Sequence, residues 1–147
     1  MTELIEKALQ LLAAACAPEA MAVLDADPSE LKETASLLER YAIPRSRGAK
    51  LLALVTLLEL ARKRHDGLTL ADERLTGRIL DGDYFQSLYV QLAVQFEEME
   101  LVRYLAPLLK RHYVRLALGE AGGERLVVSL EGYLRAEQAV SREEHAI

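Results

Sequence analysis

An all-α fold, a single domain bundle of about six to seven helices, is what this chain predicts, and three observations carry that expectation. Hydrophobic residues make up 51% of the 147 residues while aromatics make up 5%, so the apolar mass is mostly Leu, Ala and Val, which favour helix over sheet. Apolar residues recur at spacings of three and four, and no run alternates apolar and polar with period two between turn residues. A chain of this length is one domain's worth, enough to bury about two thirds of its unfolded surface around one core over residues 1–147.

In order along the chain, Thr2 is placed to cap a first helix whose Leu4, Ile5, Ala8, Leu9, Leu12 and Cys16 form a stripe, ending near Ala17. Cys16, the one cysteine, reads as a small buried hydrophobe with no disulfide partner. Pro18 suits the first turn of a short second helix through Leu24. Asp27, Pro28 and Glu30 then make an acidic cap for a third helix to about Tyr41, which Ile43-Pro44 breaks. Arg45-Ser46-Arg47-Gly48 reads as a polar connection. The next helix, Ala49 to Arg64, is apolar nearly all round over Leu51 to Leu58 and is predicted to be the most buried, with Gly67 stopping it as a C′ glycine. A connection from Leu68 to Arg78 leads to Ile79–Phe96, where Phe85, Leu88, Leu92 and Phe96 lie on one helical face with Tyr89 beside them. Asp81 and Asp83 read as caps of that helix. Met99 to Leu118 forms another helix, in which Pro107 predicts a kink or break, and Leu126 to about Arg142 forms the last.

Charge and motifs narrow the function classes. The net charge is −5 with dispersed basic residues, so a nucleic-acid backbone finds no broad cationic face. The longest apolar run, Leu51 to Leu58, is far short of the ~20 residues of a membrane span, and Glu3 and Glu6 stand where a signal peptide would be positive, so a soluble, cytoplasmic protein is expected. His65, His112 and His145 lie far apart and no HExxH, GxSxG, Walker A or GxGxxG is present, which leaves no metal site, hydrolase elbow or phosphate loop to argue. Arg45, Arg47 and Lys50 lie at one end of the buried helix and Arg62, Lys63 and Arg64 at the other, ~20 Å or more apart, too far to form one anion site. Asp66 alone is a poor magnesium ligand set.

The buried helix ending in His65-Asp66, the connection containing Arg74, and then Ile79-Leu80-Asp81-Gly82-Asp83-Tyr84-Phe85 together resemble the trans-polyprenyl diphosphate synthases. Catalytic members carry DDxxD at the first position and LAGDY at the last. Here Gly67-Leu68-Thr69-Leu70 follows His65-Asp66, Leu51 stands where a GGKR signature would have arginine, and a second aspartate-rich motif has no counterpart. The closer likeness is to the small noncatalytic subunit, component I, of two-subunit heptaprenyl and hexaprenyl diphosphate synthases, with its THDEV-like remnant and RQLTVLAGDYFSGLYY-like stretch. It covers Gly48 to Gly119 and is specific over Arg74 to Tyr89, with Asp81 in place of alanine and Arg64 in place of threonine.

The resemblance implies a truncated isoprenoid-synthase fold without activity of its own. Such a chain would form a heterodimer with a catalytic subunit that holds Mg2+ and makes prenyl chains for menaquinone, with a homodimer possible in isolation. It would help enclose the growing prenyl chain. His65 and Asp66 would be the remnant of the aspartate-rich motif, and Asp83 and Tyr84 would mark the GDY helix. That helix has a mixed side, Tyr84, Gln91 and Gln95 with Tyr89 between it and the core stripe, whose composition suits a partner-facing surface. The rival reading is a helical adaptor or self-associating protein unconnected with isoprenoids, whose GDYF stretch is a core helix.

Overall fold

The computed structural model describes residues 1–21 and 25–146, and they form helices and connections with no strand. Among them are seven helices: α1 (Thr2–Ala15), α2 (Pro18–Met21), α3 (Pro28–Arg40), α4 (Arg45–His65), α5 (Leu75–Gln95), α6 (Met99–Ala117) and α7 (Leu126–Ala146). The expected extension of the second helix to Leu24 lies outside the described residues. The chain divides into two compact units, Met1–Met99 and Glu100–Ile147.

In the first unit α4 is the axis, and α1, α3 and α5 pack on it. Its residues from Leu51 through Leu58 are all buried, because a helix that is apolar all round must be covered on every side. The one polar residue among them, Thr56, donates its hydroxyl to the Leu52 carbonyl at 2.7 Å and so needs no outside partner. α1 contributes Leu4, Ala8 and Leu12, and α3 contributes Leu31, Ala35, Leu37 and Leu38. The α3 cap follows from its sequence: Pro28 opens the helix and the Asp27 carboxylate accepts from the Ser29 N–H at 2.8 Å.

Several boundaries differ from expectation, each for a local reason. Thr2 lies inside α1 and makes no capping bond, the cap position being Met1. Cys16 is the C-cap of α1 and is 8% exposed, and burial pushes its thiol pKa up. Arg45-Ser46-Arg47 is the first turn of α4 rather than a connection, since the Pro44 carbonyl accepts from Gly48 N–H at 2.8 Å. Its two arginines are held by carboxylates, Arg45 by Glu3 at 2.6 Å and Arg47 by the buried Glu98 through two bonds of 2.7 and 3.1 Å. At the other end of α4, Lys63 pairs with Glu30 and Arg64 with Asp25, so the two cation groups serve separate ends. Gly67 does end α4 in the left-handed region, φ 66°.

α5 begins one turn before Ile79, which puts Asp81 and Asp83 inside the helix and overturns their reading as caps. The N-cap is Arg74, which makes no side-chain capping bond, and an Asx turn precedes it, the Asp72 carboxylate accepting from the Arg74 N–H at 2.8 Å.

In the second unit α6 runs unbroken through Pro107. Pro107 has no N–H for the Arg103 carbonyl, and its exposed position leaves that carbonyl within reach of water. A histidine closes the α6–α7 turn: the imidazole of buried His112 accepts from the Gly123 N–H at 3.0 Å. α7 continues to Ala146, beyond Arg142.

Candidate functional site

The residues the motifs single out gather where α4 ends and α5 begins. The last carbonyls of α4 have no intrahelical donors, and Arg78 supplies them: its guanidinium donates to the Lys63 carbonyl at 3.2 Å and the Asp66 carbonyl at 2.8 Å, while a second nitrogen reaches Asp72 at 3.0 Å. Arg74, the arginine of the motif likeness, is the exposed N-cap of α5. Backbone and side-chain donation from Arg74 and Arg78 holds the Asp72 carboxyl below the usual carboxylate range.

His65 projects from the end of α4 onto α5. Its Nε2 lies 3.1 Å from Asp83 Oδ1 and 3.4 Å from the Ile79 carbonyl oxygen, so an Nε2–H donates to either acceptor. The ring rests on Gly82, where a Cβ would stand 2.3 Å from Nε2. The glycine of the GDY sequence is therefore required by a close approach between helices, and its aspartate partners the histidine of the His-Asp pair.

Tyr84 reaches the opposite way. Its hydroxyl accepts from the Ala17 N–H at 2.8 Å, just past the end of α1, and its ring meets Phe85 edge-on at 5.8 Å between centroids. Tyr84 is thus half-buried inside the first unit and ties α5 to α1.

Tyr89 corrects the expectation of a partner-facing tyrosine. It is 1% exposed, burial pushes its phenol pKa up, and its hydroxyl has no hydrogen-bond partner among the described residues. The helical period explains this: Tyr89 follows Phe85 by four and belongs to the stripe with Leu88 and Leu92, whereas Phe96 at the end of that stripe is only half-buried. Gln91 and Gln95 are exposed, as the mixed-side reading requires, but the residues next to them in sequence, Val90 and Val94, are aliphatic and 38% and 58% exposed, and Leu80 near the start of the helix is 62% exposed. The structure brings His65, the Asp66 main chain, Gly82 and Asp83 together and leaves Gln91 and Gln95 up to about 18 Å along the helix from Asp83.

Chemically, the junction is a helix clasp of one imidazole–carboxylate pair and one guanidinium bridge. Among the described residues no group of three or more His, Cys, Asp or Glu side chains converges as a metal would need. Asp72 and Arg78 were not legible as functional residues. The signal for them is local: Asp72 lies two residues before Arg74, the spacing of an Asx turn, and six before the arginine it pairs with. No protein-family model, curated protein or solved structure matches this chain.

Proposed function

We propose that this chain is the noncatalytic subunit of a two-component heptaprenyl or hexaprenyl diphosphate synthase that makes the menaquinone side chain in the cytoplasm. In this reading a catalytic partner binds Mg2+ and both diphosphates, and this chain stabilises the active arrangement and helps enclose the growing prenyl chain. Each methylene removed from water contributes about 0.8 kcal/mol, so a second wall along the product tunnel favours elongation.

The observation that carries the reading is the two-sidedness of α5. The helix with the specific likeness buries Phe85, Leu88, Tyr89 and Leu92 in its own unit and still presents Leu80, Val90 and Val94 outward. Its motif residues Asp83 and Tyr84 are engaged by His65 and Ala17, which supports a structural use of the motif here. No helix of the described residues is long and apolar enough to cross a membrane.

The test is reconstitution with a catalytic chain carrying both aspartate-rich motifs, supplied with farnesyl and isopentenyl diphosphates and magnesium. Co-elution and long-chain product from the mixture alone are expected. Turnover by the repurified isolated chain overturns the noncatalytic reading, and failure to associate overturns the partnership. A complex with no change in product would favour the helical adaptor instead.

A further inference from the structure

Between the start of α6 and the second half of α7, the second unit has an open groove of about 500 Å³. Its floor is aromatic: Tyr104 and Tyr133 lie 5.6 Å apart, and Gly132 permits this because a Cβ there would come within 2.6 Å of the Tyr104 hydroxyl. Ala136 and Val140 continue the floor along α7, and Val140 is 53% exposed. The lining is also acidic. Glu100, Glu137 and Glu144 line the groove against one cation, Arg103, which is itself bonded to Glu100 at 3.1 Å.

The α7 carboxylates follow a register. Glu137 and Glu144 are two helical turns apart, ~10.5 Å, with Val140 on the same face between them. The lined stretch of α7, from Tyr133 to Glu144, is ~16 Å long, the length of three helical turns. An apolar trough of that length between two antiparallel helices has the shape that receives the apolar stripe of a third helix, and the flanking carboxylates select its charge.

We propose that the α6/α7 groove is a docking site for a basic amphipathic helix of a partner protein, with Lys or Arg residues two turns apart bracketing an aliphatic stripe. Apolar contact with Tyr104 and Val140 supplies the seat, and Glu137 and Glu144 set its direction and exclude acidic helices. The inference does not depend on the isoprenoid reading.

Fluorescence anisotropy of the full chain tests it. The probe is a labelled synthetic helix of about 18 residues built from Leu and Lys, and the control replaces each Lys by Glu. The Leu/Lys helix is expected to bind at least about tenfold more tightly than the Leu/Glu helix. The double substitution Glu137→Lys with Glu144→Lys should remove that preference. Glu19→Lys with Glu73→Lys, an equal charge change outside the groove, should leave affinity within about twofold. Val140→Glu, at an exposed position, provides a second disruption of the seat, and circular dichroism checks that each variant is folded. Equal binding of the two helices, or equal loss in both double variants, overturns the proposal. A dimer of this chain that the groove substitutions dissolve would assign the groove to a second copy and overturn it as well.

Discussion

The contact between Gly82 and His65 gives the GDY sequence a structural reason within this chain. Gly82→Ala would force a Cβ to 2.3 Å from the imidazole, and overpacking of that kind costs about 1–3 kcal/mol. His65→Ala vacates the space, so the double variant should lose less stability than the sum of the two, by ~0.5–3 kcal/mol in urea unfolding; strict additivity would mean that the two residues do not constrain each other. Asp72 makes a prediction in pH. Its folded-state pKa is lowered, first by the Arg74 N–H and then by Arg78, so its contribution is present above the unfolded value of about 3.9 and is lost as pH falls through the lower folded value. Thermal melts from about pH 5 to pH 3 should therefore fall less steeply for Asp72→Asn than for the parent chain. Identical profiles would detach Asp72 from the clasp.

At the scale of elements, α5 separates core from surface along one helix. Leu92 is 3% exposed, and Leu92→Ala should destabilise the chain by ~2–5 kcal/mol. Gln91→Glu and Gln95→Arg lie on the exposed side and should leave the melting temperature nearly unchanged while weakening association with the proposed catalytic partner. A pull-down in which both variants bind normally removes this side of α5 as the docking surface. The burial of Phe85, Leu88 and Leu92 was legible because apolar residues three and four apart define a face. Tyr89 was not, because its hydroxyl suggested a wet boundary, whereas its angular position places the ring in the core. The start of α5 was also misread: Asp81, Gly82 and Asp83 have the composition of a cap, yet the Asx turn at Asp72 starts the helix one turn earlier.

At the scale of the molecule, the proposed division of labour between two chains predicts that Asp66 is dispensable. Its main-chain carbonyl receives Arg78, a contact that Asp66→Ala keeps, so the substitution should cost under about 1 kcal/mol and leave the reconstituted pair active. Loss of product from a pair that still assembles would assign the Asp66 carboxylate to metal or diphosphate. The all-α class, the central place of α4 and the stripe on α5 follow from the amino-acid order, because composition and a 3.6-residue period are local properties that survive without knowledge of neighbours. Only packing reveals that His65 meets Asp83 over Gly82, that Arg78 closes the end of α4, and that Tyr84 reaches Ala17. These contacts join residues from 12 to 67 positions apart, and side chains that far apart become neighbours through the packing of whole helices, which no short spacing in the chain encodes.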